Sequence, residues 1–201
     1  MENKAGISNK VLALASLSRI FLYPSKNISL SKMKNVELNN LTFKYSAYNK
    51  ITDKGMRVNQ TDSLFEPLPD ASYYVEEMFP AQITMLYADN ITIRNCDFAC
   101  LGSNAINMIA GVRDTKVIGN LFRDVSGAAL MVGHFLHGRN LGNPDERVGY
   151  VEVADNVIRR AGWEFSGSAA IAAYYATAVN IHHNDIKDVP YTGITLGWGW
   201  G

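Results

Sequence analysis

The sequence predicts an all-β fold in which the chain winds as a parallel β-solenoid of about five coils with long loop insertions. Three observations support this fold. A short strand-like motif recurs along the chain, an Asn recurs at its turn, and the repeated region shows no sustained amphipathic helix. A flat parallel sheet is disfavoured because it needs crossover helices. A β-sandwich, the structural rival, would not need corner residues to recur in the same order.

Each repeat unit has two alternating apolar positions, a turn residue, and an apolar residue two places later. Alternation with period two is typical of a strand with one buried face. The units span residues 91–98, 115–122, 151–158 and 179–186, with a fainter unit at 36–43.

The turn residues of the four clear units are Cys96, Asn120, Asn156 and Asn184. Asn tolerates the left-handed conformation that a sharp corner requires, so we expect it to adopt that conformation here. Stacked Asn side chains can also form a hydrogen-bonded ladder. The turn residues lie 24, 36 and 28 residues apart, so a bare coil needs no more than about 24 residues and the excess is loop.

A second strand follows each turn and opens with a small residue, as a tight bend favours. These opening residues are Ala105, Ala129, Ala170 and Gly193. Two long insertions interrupt the repeat, at residues 44–89 and 133–150.

The repeat divides the chain into two parts. Residues 1–34 do not repeat and are predicted to form an N-terminal segment or cap, whereas residues 35–201 are predicted to form the solenoid domain. The sequence ends on Gly-Trp-Gly-Trp-Gly directly after a strand, where solenoids normally carry an atypical cap. We therefore expect a fragment of a longer protein, truncated at the C-terminus.

Composition excludes several classes of protein. Lys plus Arg and Asp plus Glu are 19 each, so the whole chain lacks the basic footprint of a protein that binds nucleic acid or an anionic membrane. No run of 18 apolar residues predicts a transmembrane helix, and we identify no intact signal peptide. Cys96 and Cys100 are too few for a disulfide scaffold or a zinc site.

Three segments within residues 90–201 carry a resemblance to a known group of proteins: DTKVIGNLFRDVSGAAL, VEVADNVIRRAG and IHHNDIKDVPYTGITLGWGWG. They resemble the right-handed parallel β-helix region of secreted carbohydrate-active enzymes. The last segment is similar to a recurring ending in bacterial β-helix glycoside hydrolases. The resemblance implies right-handed winding, a poly- or oligosaccharide substrate, and a parent protein that is secreted, periplasmic or on the cell surface. This fold also serves lyases, epimerases and adhesins, so it does not by itself fix the chemistry.

Aromatic residues lie at or just past the corners of the predicted coils. Because stacked strands are about 4.8 Å apart, Tyr174, Tyr175 and Trp198 would lie on neighbouring rungs of one edge. Such rings either bind a sugar or cover the core. Glycines beside the Trp residues favour the sugar. The predicted substrate-binding residues are Trp198, Trp200, Tyr174, Tyr175, Tyr191 and His134.

Glycoside hydrolysis uses two carboxyl groups, about 5–5.5 Å apart for retention and 6.5–9.5 Å apart for inversion. Equivalent positions on adjacent coils are near the first distance, and positions two coils apart are near the second. Desolvation by the neighbouring Trp163 would raise the pKa of Glu164, which suits a general acid. Asp145 lies in a long insertion, where function is often found. The predicted catalytic residues are Glu164, Asp188 and Asp145.

Asp188 also belongs to a predicted column. Asp124, Arg160 and Asp188 each follow the stacked apolar residue of their unit by two places. Such a column is typical of a structural ion ladder, and it also fits a tuned acid pair.

No metal or cofactor is predicted. The histidines of the 133–150 insertion and the pair His182–His183 have no carboxylate or Cys at a short spacing that would complete a metal site. The sequence therefore favours a glycoside hydrolase that acts on polysaccharide with two carboxyl groups. A polysaccharide lyase and a non-catalytic carbohydrate-binding or adhesion solenoid are the alternatives. The resemblance implies that a lyase would need Ca²⁺ and clustered acidic ligands, and no such cluster is evident.

Overall fold

The computed structural model describes residues 5–8, 20–22, 33–48, 63–67, 74–134 and 144–197. Their strands form three parallel sheets in a right-handed parallel β-helix, and the predicted fold is confirmed. Among these residues no helix is both long enough and apolar enough to cross a membrane.

The strands follow one another around five coils. One strand, β1 (Ala5–Ser8), precedes the first coil, and one more strand, β19 (Ile194–Leu196), follows the last. An antiparallel hairpin of β5 (Ser63–Pro67) and β6 (Tyr74–Met78) lies between the first and second coils. The strands of the coils are, in order, β2 (Ile20–Leu22), β3 (Met33–Asn39) and β4 (Thr42–Lys44); β7 (Ala81–Leu86), β8 (Ala88–Arg94) and β9 (Asp97–Leu101); β10 (Asn104–Ala110), β11 (Arg113–Ile118) and β12 (Leu121–Val125); β13 (Leu130–Val132), β14 (Gly149–Ala154) and β15 (Val157–Ala161); β16 (Ile171–Ala173), β17 (Thr177–His182) and β18 (Asp185–Lys187).

Each coil contributes one strand to each sheet. Sheet A contains β1, β3, β8, β11, β14 and β17. Sheet B contains β2, β7, β10, β13, β16 and β19, and sheet C contains β4, β9, β12, β15 and β18. The chain passes from sheet B to sheet A and then to sheet C, so each coil has three corners. We name them the B–A, A–C and C–B corners after the sheets that they join.

The core is a set of stacked apolar columns between the sheets. Phe43, Phe98 and Phe122 pair in register, with ring centroids 4.7 and 4.9 Å apart and ring planes inclined by 14° and 10°. Ile158 and Ile186 continue this column on the next two coils. The period-two alternation of the sequence therefore marks residues that point into one continuous core.

The predicted ladder lies at the A–C corner. The side-chain Oδ1 of Asn120 accepts from the backbone N–H of Cys96 at 2.9 Å, and Asn156 Oδ1 accepts from the N–H of Asn120 at 2.9 Å. Asn184 Oδ1 repeats the contact with the N–H of Asn156 at 3.0 Å. The side-chain amides of Asn120 and Asn156 also donate to the Oδ1 of the next Asn, at 3.0 and 2.9 Å.

The expected backbone conformation of the ladder residues is wrong by one position. The residues with positive φ at this corner are those just before them: Asn95, Gly119, Asp155 and His183, with φ between 52° and 67°. The Asn side chain is instead needed for its hydrogen bonds, because a buried backbone N–H without an acceptor is costly.

The small-residue corners are as predicted for the second strands. Ala105, Ala129 and Ala170 are buried at the start of sheet B strands, and their N–H groups donate to the following coil. The N-terminal region contributes β1, which pairs with β3, and β2, which pairs with β7. The division at residue 34 stays a prediction.

Candidate functional site

The predicted site residues fall at two different corners of the β-helix. Glu164, Asp188 and Tyr191 lie at the C–B corner, after β15 and β18. His134, Asp145, Tyr174 and Tyr175 lie at the B–A corner, after β13 and β16, with Asp145 in a short 3₁₀ helix (Pro144–Glu146). Trp198 and Trp200 lie outside the described residues. Sheet B separates the two corners, so the three predicted catalytic carboxyl groups are not brought together at one point.

Glu164 belongs to a loop, residues 162–168, that folds back over the preceding coil. Phe165 is buried against Phe79, with ring centroids 4.6 Å apart, and its N–H donates to the carbonyl of Ser126 at 2.9 Å. Ser126 Oγ donates to Glu164 Oε2 at 2.9 Å. The apolar anchor and this hydrogen bond hold the exposed Glu164 against the C–B corner of the previous coil.

The predicted column of Asp124, Arg160 and Asp188 is present at this corner. Arg123 pairs with Arg159, and Arg159 with Lys187, so the three residues that follow lie on successive rungs. All three have positive φ, between 53° and 57°.

Only the first pair of that column forms an ion pair. Arg160 Nε donates to Asp124 Oδ1 at 2.6 Å. Among the described residues Asp188 has no hydrogen-bond or ion-pair partner. The Asp124–Arg160 half of the column matches the ion-ladder interpretation, and the Asp188 carboxyl group stays exposed to solvent.

Exposed aromatic rings accompany these carboxylates. Trp163 is 51% exposed and lies under the Arg160 guanidinium, with 4.4 Å from its carbon to the ring centroid, a cation–π contact. Tyr191 is 44% exposed and Tyr45 is 66% exposed at the same corner. Tyr45 was not among the site residues predicted from the sequence. Counting two residues on from the stacked Phe43 would have placed it in the column of Asp124 and Asp188.

The B–A corner is more enclosed. Tyr174 is 1% exposed and packs with Met131, Ala169 and Ala172. Tyr175 is partly buried against the same group, and His134 is 1% exposed. Tyr174 is thus part of a small buried apolar cluster that is separate from the core between the sheets. Asp145 is the exposed carboxyl group of this corner.

The C–B corner therefore combines carboxyl groups with flat apolar surfaces. The backbones of Asp124 and Asp188 are two rungs apart, about 9.6 Å along the stack, which is near the upper end of the inverting distance. Glu164 lies between them in sequence and leans toward Ser126, two residues beyond Asp124. In the described part of the chain no three His, Cys, Asp or Glu residues are grouped so that they could hold a metal ion.

Comparisons with known proteins agree with the fold. No known family model matches the sequence, and no curated protein matches it. A solved structure named "Glycoside hydrolase" is similar, with a TM-score of 0.73 and 26% sequence identity. The match covers 84% of this chain and 32% of that one, so the chain spans about a third of the length of the structure that it matches. The chain is a right-handed parallel β-helix that is similar, over most of its length, to part of a glycoside hydrolase.

Proposed function

We propose that the chain is part of a glycoside hydrolase that acts on a polysaccharide through two carboxyl groups at the C–B corner. One observation carries the proposal: exposed carboxylates and exposed aromatic rings lie together at this corner on successive rungs. The likeness to a structure named a glycoside hydrolase supports a carbohydrate-active role. The parent protein is then expected where polysaccharides occur, secreted, in the periplasm or at the cell surface.

The chemistry follows from these groups. One carboxylic acid protonates the glycosidic oxygen that leaves, and the second carboxylate attacks the sugar carbon or activates a water. Glu164 and Asp188 are the proposed pair. Trp163 and Tyr191 would hold the sugar rings beside them, because flat aromatic faces pack well against the apolar faces of a pyranose. The Asp124–Arg160 ion pair fixes the position of the guanidinium over Trp163.

The first test is a hydrolysis screen with aryl glycosides and polysaccharides. We expect Glu164→Gln and Asp188→Asn, each made singly, to lower turnover by about 10²-fold or more, as the loss of an acid or base group does. Asp155→Asn, an exposed carboxylate at the A–C corner, is the matched control and should keep full turnover.

Asp145→Asn tests the other corner. Its carboxyl group is exposed across sheet B from Glu164, so turnover should survive this change. Loss of activity in Asp145→Asn alone would move the site to the B–A corner. Undiminished hydrolysis in all three variants would end the two-carboxylate assignment.

A non-catalytic carbohydrate-binding role is the second candidate. The exposed rings of Tyr45, Trp163 and Tyr191 favour it, since they need no carboxyl chemistry to bind sugar. Retardation in gels that contain polysaccharide, lost in Trp163→Ala and unaccompanied by product release, would support binding over hydrolysis.

A further inference from the structure

The outer face of sheet C carries a row of positive charges that is separate from the candidate site. Lys44, Arg123, Arg159 and Lys187 occupy equivalent positions on their strands, with Ala99 between the first two. We call these four residues the basic row. Neighbouring rungs are about 4.8 Å apart, so the last three charges are evenly spaced along the helix axis.

The carboxylates on this face neutralise only half of the row. Asp97 contacts both Arg123 Nη2 at 2.9 Å and Lys44 Nζ at 3.3 Å. Asp185 contacts both Arg159 and Lys187, the latter at 3.6 Å. Among the described residues of the sheet C strands, four cations against two carboxylates leave two positive charges in excess.

The outer face of sheet A is different, although it carries a similar number of charged residues. Three of its cations each pair with a different carboxylate: Lys34 with Asp89 at 3.3 Å, Arg94 with Glu37 at 2.7 Å, and Lys116 with Glu152 at 3.3 Å. Glu152 also lies 3.4 Å from His182 Nε2. The excess positive charge is therefore a property of sheet C and is absent from the net charge of the whole chain, which is zero.

The shared carboxylates hold the cations in position and still leave N–H groups of the cations available to a ligand. Arg123 uses Nε and Nη2 on Asp97, at 3.2 and 2.9 Å, and its side chain is 42% exposed. Lys187 is 64% exposed. Burial alone would raise the pKa of Asp97, but the hydrogen bonds and charges of Arg123 and Lys44 outweigh burial and lower it. Asp97 thus stays ionised and keeps Arg123 oriented.

Apolar side chains lie beside the cations. Leu121 and Val157 pair with each other in register, two residues before Arg123 and Arg159, and both are partly exposed. A pyranose ring with a carboxylate substituent needs this combination, an aliphatic surface for the ring and a guanidinium for the charge.

We propose that the basic row binds a linear carboxylated polysaccharide, laid along the helix axis with its acidic sugars facing successive rungs. An extended polyuronate presents one carboxylate per sugar, and a pyranose unit is about as long as one rung. This binding surface goes beyond the proposed hydrolysis, because it lies outside the C–B corner and does not depend on which sugar is cleaved there.

The test is affinity electrophoresis of the chain in gels that contain polygalacturonate or a neutral polysaccharide of similar length. We expect retardation by polygalacturonate, weakened at higher salt because the contact is ionic. The double variant Arg123→Gln/Lys187→Gln should lose at least about fivefold in apparent affinity. Lys116→Gln on sheet A, which also removes one exposed cation, is the control and should change little.

Three results would overturn this assignment. They are equal retardation by the neutral polymer, an equal loss in Lys116→Gln, or stronger retention by a single-stranded oligonucleotide at the same ionic strength. The outcome is distinguishable from that of the hydrolysis test: Glu164→Gln should leave retardation by polygalacturonate unchanged, and Arg123→Gln/Lys187→Gln should leave hydrolysis of small aryl glycosides unchanged. Circular dichroism of the double variant would confirm that it is folded.

Discussion

At the scale of single residues, the ladder Asn does two tasks with one side chain. Asn120 Oδ1 accepts the N–H of Cys96, and Asn120 Nδ2 donates to the carbonyl of Ile93 at 3.0 Å. Asn120 is 1% exposed, so water cannot replace either bond. The sequence pattern predicted this position and its ladder. It did not predict that the preceding residue takes the left-handed conformation, because Asn suits both tasks.

Asn120→Ala should therefore destabilise the fold. The change leaves the buried N–H of Cys96 and the carbonyl of Ile93 without their partners, and we expect a loss of about 1–3 kcal/mol in unfolding free energy. Urea unfolding followed by circular dichroism measures it. Asn180→Ala on β17, where the side chain is exposed, should change the free energy by less than about 0.5 kcal/mol. Equal effects at the two positions would contradict the ladder's role in stability.

Residue type alone did not reveal which aromatic rings face solvent. Tyr174 and Tyr175 are neighbours in sequence, yet Tyr174 is almost fully buried and Tyr175 is only partly so. The deciding factor is the packing of Met131 and Ala172 outside sheet B, which no local pattern encodes.

At the scale of strands and corners, residues whose backbone φ is positive set the winding of the chain. Apart from Gly133, Gly162 and Gly197, every described residue with positive φ falls into one of four columns that run along the stack. Most of these residues are not Gly, so the corners are held by stacking more than by intrinsic preference. At Gly133 the requirement is stricter, because a Cβ atom there would lie 2.0 Å from the carbonyl oxygen of Tyr174.

Gly133 and Gly197 form a natural pair for testing this distinction. Both have positive φ, +78° and +74°, but a Cβ atom on Gly197 would meet nothing within 4 Å. We expect Gly197→Ala to cost about 1–2 kcal/mol from the backbone alone. Gly133→Ala should cost a further 1–3 kcal/mol, roughly, from the clash. Thermal unfolding of the two variants compares them, and equal midpoints would show that the coil relaxes freely at Gly133.

Strand β7 shows why the period-two pattern of the sequence did not predict every strand of the coils. It lies inside the insertion at 44–89, and nearly every residue of Ala81–Leu86 is buried on both faces. A strand covered on both faces loses the period-two signal on which the motif search depended. The loop at 162–168 was not predicted for another reason, since its path is fixed by the contact of Phe165 with Phe79, far away in sequence.

At the scale of the whole molecule, the stack converts sequence spacing into distance along one axis. This conversion predicted the column of Asp124, Arg160 and Asp188 correctly. It could not predict that sheet B would separate Asp145 from Glu164, because loops leave the stack where their own packing directs them.

The stack also predicts a gradient of local stability. Strands β10, β11 and β12 are paired on both sides, whereas β18 and β19 are paired on one side, and Leu196 of β19 is 69% exposed. Backbone amides of β18 and β19 should exchange with deuterium faster than those of the central coils. Hydrogen–deuterium exchange read by mass spectrometry of peptides measures this, and uniform protection along the chain would contradict it.

The register of the ladder also restricts how such a molecule can change length over evolution. A duplication of one bare coil, the 24 residues 97–120, would keep every column in phase. Adding a single residue within a strand would turn the later side chains of that strand to the opposite face. The stacked sheets can therefore lengthen only by whole coils, while the corners accept inserted loops of any length. New functional residues can be introduced in those loops without disturbing the stacked sheets.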